Sequence, residues 1–196
     1  MEQAKKECIL IEAARAFSRW GFRKASIDDI AKAAGVGKGT IYLAADSKED
    51  LFFQALHREV RHWVAEVSKM IDPRVAADTM LEAMSRASIG YLEASPLVRD
   101  LLFGKTRELL PLWGERLDDL RRLGAANVAE VLRLGIRQKI FREDLDIELV
   151  ASLLQDVQIA GYALHGKPSG EVDLERRQQV GLDLIFNGLR RPAHHR

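Results

Sequence analysis

The chain reads as an all-α protein, a small three-helix head followed by a larger helical bundle. Three observations carry that reading. Apolar residues recur three and four positions apart in segment after segment, the period of a helix with one buried face. No stretch gives a convincing strand, and no internal repeat is seen. Residues 26–51 hold two short helical patterns folded around one glycine, the pattern of a helix-turn-helix.

That stretch organises the rest. Ser26 stands where an N-cap belongs, and Asp29 three residues later makes a short-armed capping box. Ile27, Ile30, Ala31 and Ala34 then follow at helical spacing. Gly35 ends the helix, because glycine takes the left-handed conformation that a helix C-terminus often needs. Val36 is apolar within the turn and suits a place between two helices. A second short helix is expected from about Lys38 to Ala45. In such a motif the second helix enters the DNA major groove. Lys38-Gly39-Thr40 lets backbone approach DNA closely, and Tyr42 offers a hydroxyl to phosphate or base edge. A purely structural hairpin needs no basic residue and small neighbours at that point.

The other elements follow in order. Residues 7–20 form a first helix with Leu10, Ala13, Ala14 and Phe17 as its stripe, ended by Gly21. Arg23 and Lys24 lie just before the Ser26 cap, where phosphate is in reach. Asp46 or Ser47 caps a long helix from about Lys48 to Ile71, striped by Phe53, Leu56, Val60, Trp63, Val67 and Met70. Asp72-Pro73 stops it. A helix over about 75–94 carries Met80, Met84, Ala87 and Tyr91 on one side. Ser95-Pro96 opens a short helix to Phe103. Gly104 and Pro111 bracket a less regular stretch. A long pattern over 112–138 is weakened by Gly124 and Gly135. Asp144 or Asp146 caps a helix to about Leu164, residues 166–170 form a loop, and a last helix spans about 172–189. The final seven residues read as a frayed tail.

Bulk properties set the class. A chain of 196 residues, 47% hydrophobic and 30% charged, has the composition of an ordinary soluble protein. A lone Cys8 excludes an internal disulfide and fits a reducing, cytoplasmic setting. The N-terminus lacks a signal-peptide core, and no apolar run is long enough to span a membrane. The formal charge of +1 hides an asymmetry. Residues 1–48 hold 9 Lys+Arg against 6 Asp+Glu (+3), and residues 49–196 hold 21 against 23 (−2). A basic head on a mildly acidic body fits a DNA-binding module.

Enzyme chemistry finds no footing. Cys8 has no histidine near it in sequence and reads as a buried structural thiol. His57 and His62 are five apart, not the four that places two ligands on one helical face. His62 and Glu66 have that spacing but are only two groups, and His194 and His195 lie in the tail. No phosphate-binding glycine loop or nucleophile elbow is seen, so no catalytic residue, cofactor or metal is expected.

Residues 9–51 resemble the DNA-binding head of the tetracycline-repressor (TetR/AcrR) family of bacterial regulators. The resemblance rests on Ala13-Ala14, Phe17, Gly21-Phe22, Ser26, Asp29-Ile30-Ala31, Ala34-Gly35-Val36, Gly39-Thr40-Ile41-Tyr42, Ser47-Lys48-Glu49 and Leu51. The remaining chain is similar in length and helical texture only. Three positions depart from the pattern. Gly37 replaces a capping Ser or Thr, at a cost of a few tenths of a kcal/mol. Ala45 replaces a large apolar residue, whose loss costs roughly 3–5 kcal/mol unless Leu43 or Phe52 refills the space. Ala44 replaces a His or Tyr that in the family reaches DNA.

The resemblance implies a repressor that binds a palindromic operator as a homodimer and is released by a small effector. Residues 1–47 would be the DNA-binding domain and 48–196 the ligand-binding and dimerisation domain. The DNA-facing set is then Lys24, Ser26, Gly37, Lys38, Gly39, Thr40, Tyr42, Leu43 and Lys48. Trp63, Met80, Met84, Tyr91, Phe103, Trp113 and Gln158 would line a pocket for an apolar or aromatic effector, although each alone reads as core. Gln155 and Asp156 interrupt the same apolar helix as Gln158 and would anchor an effector or face solvent. The last two helices would dimerise through Val157, Ala160, Gly161, Leu164, Gly181, Leu182, Ile185 and Leu189, as a four-helix bundle. The alternative is a helical ligand-binding or assembly protein whose head has lost specific DNA binding, as Ala44 and Ala45 suggest.

Overall fold

Eight helices make up most of the described chain. The computed structural model describes residues 2–98, 110–165 and 174–190. In chain order the helices are α1 (Gln3–Lys24), α2 (Ile27–Ala33), α3 (Lys38–Ala44), α4 (Lys48–Ser68), α5 (Ala77–Ala94), α6 (Leu110–Arg137), α7 (Ile147–His165) and α8 (Leu174–Leu189). Among the described residues there is no strand; a single antiparallel bridge pairs Phe141 with Arg190. No described helix is long and apolar enough to cross a membrane.

By compactness the chain forms two units, Met1–Trp63 with Leu92–Leu120, and Val64–Tyr91 with Arg121–Arg196. Helices α4, α5 and α6 each contribute residues to both.

In the first unit Ile9, Ala13 and Phe17 of α1, Ile30 of α2, Ile41 of α3 and Leu51, Phe52 and Leu56 of α4 are buried. Phe52 meets Phe17 edge-on at 5.0 Å between ring centroids and Phe22 at 5.5 Å. The helical pattern of α1 breaks at Gly21, where φ is 73° and ψ 162°, a backbone that only glycine adopts freely. The expected end of the first helix is therefore the break, and a further turn to Lys24 follows it. Its start lies four residues earlier than expected, at Gln3.

Three further ends in the head have a local cause. Ser26 Oγ accepts the Asp28 N–H at 3.2 Å, one residue short of the expected partner Asp29. Gly35 has φ 65°, and the Val36 and Gly35 N–H groups donate to Ala31 and Lys32 carbonyls. These are the two bonds of a Schellman stop. Ser47, rather than Asp46, caps α4, its Oγ accepting the Asp50 N–H at 3.0 Å.

In the second unit Met80, Leu81 and Met84 of α5, Val131, Leu132 and Leu134 of α6, Ala151 of α7 and Phe186 of α8 form the core. Helix α4 stops at Ser68, so Met70 lies beyond it and is exposed, contrary to its expected place in the stripe. Gly124 and Gly135 do not interrupt α6, which runs unbroken through both. A Cβ at Gly124 would stand 2.0 Å from the Gln155 amide, and one at Gly135 2.1 Å from the Phe141 ring. Both glycines are notches that admit a neighbour's side chain. Arg190, expected in the frayed tail, is instead tied to its neighbours. Arg190 bridges Phe141, and its Nη2 donates to Asp78 at 3.1 Å. Asp146, not Asp144, caps α7 through the Leu149 N–H. The expected loop at 166–170 and the tail beyond Arg190 lie outside the described residues.

Candidate nucleic-acid interface

Helix α3 divides its seven residues between two surroundings. Ile41 and Ala44 are buried and hold it in the head, while Gly39, Tyr42 and Leu43 are exposed. Gly37 occupies the N-cap position with extended backbone and no side-chain bond. Lys38 Nζ lies 3.0 Å from Asp28 Oδ1 and 3.1 Å from Oδ2, which ties the start of α3 to the first turn of α2. The hydrogen bond and charge of Asp28 raise the Lys38 ammonium above its ordinary range.

The other expected contacts take different places. Lys24 is exposed in the last turn of α1, and Ser26 and Thr40 are half-buried. Lys48 Nζ donates to the Arg23 carbonyl at 3.2 Å and sits 4.8 Å from the Phe22 ring centroid. Burial lowers its pKa below the ordinary lysine range. Leu43 does not turn inward to refill the space beside Ala45. Phe52 is the fully buried one of the two side chains expected there, and Ala44 and Ala45 are themselves buried.

Sequence reasoning missed the support of the far end of α3. Gln54 Nε2 donates to the Ala44 carbonyl at 3.0 Å and to Asp50 Oδ2 at 2.7 Å. The same Asp50 oxygen accepts the Asp46 N–H at 3.1 Å, and Arg116 Nη2 donates to Oδ1 at 2.7 Å. Arg116 also lies 3.9 Å over the Phe53 ring, a cation–π contact. Burial alone would raise the Asp50 pKa, but bonds from Arg116, Gln54 and Asp46 outweigh it and hold the carboxyl below its ordinary value. The four-residue spacing of Asp50 and Gln54 was legible; the partnership with Arg116, 66 residues away, was not.

The expected effector and dimer residues are placed unevenly. Met80 and Met84 are buried on α5, and Trp63 and Tyr91 are half-buried. Phe103 and the side chains of Trp113, Gln158, Ala160 and Leu164, with Gly161, lie outside the described set. Asp156 does not stand ready for a ligand: Arg121 Nη2 donates to both its oxygens at 2.6 Å. Gln155 Oε1 is buried and has no hydrogen-bond partner among the described residues. Leu182 and Leu189 are buried in the protomer, Gly181 and Ile185 are half-buried, and Val157 is exposed. Among the described residues, no group of three or more His, Cys, Asp or Glu is placed to hold a metal ion.

Comparison with known proteins agrees with this geometry. Residues 9–55 match the bacterial regulatory proteins of the tetR family. The transcriptional repressor KstR2 of Rhodococcus jostii is 26% identical over 184 residues, covering 92% of this chain and 88% of that protein. The fatty acid degradation regulator FadR of Bacillus halodurans superimposes with a TM-score of 0.73 at 20% identity, over 98% of this chain and 100% of that one. FadR of Bacillus subtilis, solved in complex with stearoyl-CoA, gives 0.70 at 19% identity, over 93% and 98%. Residues 9–55 thus carry a tetR-family head, and beyond it the chain is similar to a transcriptional repressor over nearly its full length and shares the helical fold of such regulators.

Proposed function

We propose that the protein is a repressor that binds a palindromic operator as a homodimer in the cytoplasm and leaves it when a small apolar or aromatic effector binds. Residues 1–47 act as the DNA-binding domain and residues 48–196 as the effector and dimerisation domain. The carrying observation is α3, anchored by Ile41 and Ala44 while it presents Lys38, Gly39, Tyr42 and Leu43 outward. A reading helix needs a rigid base and a free face. The two alanines that suggested a head unable to read DNA point into the protein and leave that face intact.

Effector binding draws support from the second unit. Met80 and Met84 supply adaptable apolar surface. The unpartnered Gln155 Oε1 is an acceptor suited to one N–H or O–H on an otherwise apolar molecule. The stearoyl-CoA held by a protein of this fold is an apolar chain with a polar end.

Dimerisation draws support from two stripes. Leu149, Leu153 and Val157 on α7 and Val180 and Leu184 on α8 are each at least half exposed and spaced four apart. The buried Leu182 and Leu189 back this surface rather than form it. Two copies of such a face make a bundle about a two-fold axis. The heads then meet half-sites roughly 34–36 Å apart.

A gel shift with DNA from upstream of its own gene tests the reading. Specific retardation is expected, with a log–log salt slope of roughly −5 if about six phosphates are neutralised. Absence of any sequence-specific shift would favour the helical assembly protein.

A further inference from the structure

The outward face of α3 is apolar at its far end. Leu43 is 79% exposed, more than any other large hydrophobic residue among those described, and Tyr42 beside it is 49% exposed. Lys38 is the one charged residue of α3, and it stands at the opposite end, held on Asp28. Ala44 and Ala45 are buried, so Leu43 is the last side chain that α3 presents outward. The head carries 9 Lys+Arg against 6 Asp+Glu over residues 1–48, a charge balance that complements a polyanion. A base edge in the major groove offers donors, acceptors and one apolar group, the C5-methyl of thymine.

We infer that Leu43 reads a thymine methyl in each operator half-site. The inference rests on the proposed DNA binding and adds the chemistry of what is read. Leu43 has no hydrogen-bonding group, so it gains nothing from the polar edge of guanine or cytosine. Against a thymine methyl it removes apolar surface of both partners from water. Tyr42, one position earlier, keeps its hydroxyl for phosphate or a neighbouring base. Specificity at the Leu43 position therefore depends on a single methyl group.

The test begins by selecting an operator from random duplexes with the full-length protein. Each thymine is then replaced by deoxyuridine, which lacks only that methyl. One thymine per half-site is expected to lose roughly three- to tenfold in affinity on replacement. Leu43→Ala, at an exposed position that keeps the fold, should bind the thymine and uracil operators equally. Tyr42→Phe should retain the discrimination of wild type. A wild-type protein that tolerates uracil everywhere overturns the inference while leaving DNA binding standing. So does a Leu43→Ala variant that loses as much as wild type. A selection that enriches no sequence overturns the DNA-binding proposal and this inference with it.

Discussion

Gly124 and Gly135 lie on one helix and look alike in the sequence, yet their neighbours predict opposite responses to a methyl group. Alanine gains about 1 kcal/mol of helix propensity at either site. At Gly135 the new carbon meets the ring of Phe141, which is fully buried. Overpacking of that kind costs about 1–3 kcal/mol, so Gly135→Ala should lower the midpoint of thermal unfolding. At Gly124 the new carbon meets the far end of the Gln155 side chain. That end swings away at small cost, so Gly124→Ala should leave the midpoint near wild type or raise it. Equal destabilisation by both would show that Gln155 is as firmly held as Phe141. Lys139 offers a gain instead. It sits at φ 61° just past α6, where the Ile140 and Lys139 N–H groups close on Gly135 and Ile136 carbonyls. Lys139→Gly should stabilise by about 0.5–1 kcal/mol, read from urea unfolding at unchanged slope.

Helix α3 is too short to stand alone, and its far end depends on Asp50. That carboxylate accepts from Asp46, Gln54 and Arg116, and Gln54 in turn holds the Ala44 carbonyl. Removing it breaks three hydrogen bonds, so Asp50→Ala should cost about 2–3 kcal/mol and weaken operator binding. The pH dependence has a definite sign. The folded pKa lies below the unfolded value, so the stabilisation is complete above that ordinary carboxylate value, near 3.8. It fades as pH falls through the lower folded value. Asp50→Asn should therefore lose stability at neutral pH and show a flatter acid limb than wild type. A parallel acid limb would place the titration elsewhere. This network also marks the limit of what the sequence shows. The helix-turn-helix was legible because Ser26, Gly35 and the apolar positions act within a few residues of one another. The Asp50–Arg116 pair and the contacts of Gly124 and Gly135 arise only once distant segments meet. A glycine in a helical pattern therefore reads as a weakness until its neighbour is known. Leu43 could be assigned to an outward face or to the space beside Ala45, and only its exposure in the folded chain excludes the second.

At the scale of the whole molecule, the exposed stripes on α7 and α8 make subunit association testable. Leu153→Glu or Leu184→Glu replaces a surface leucine, so the fold should survive with its helical signal unchanged. Sedimentation should then report a monomer, and operator affinity should fall by at least tenfold, because one head holds only half the site. A variant that stays dimeric would move the interface away from these helices. On the proposed pairing, the same stripes bear on gene dosage. Pairing is second order in protein, so when the pool is dilute against its own dissociation constant, halving the number of chains leaves about a quarter of the pairs. Repression would then respond to copy number more steeply than in proportion, with five exposed aliphatic side chains setting the concentration at which that steepness begins.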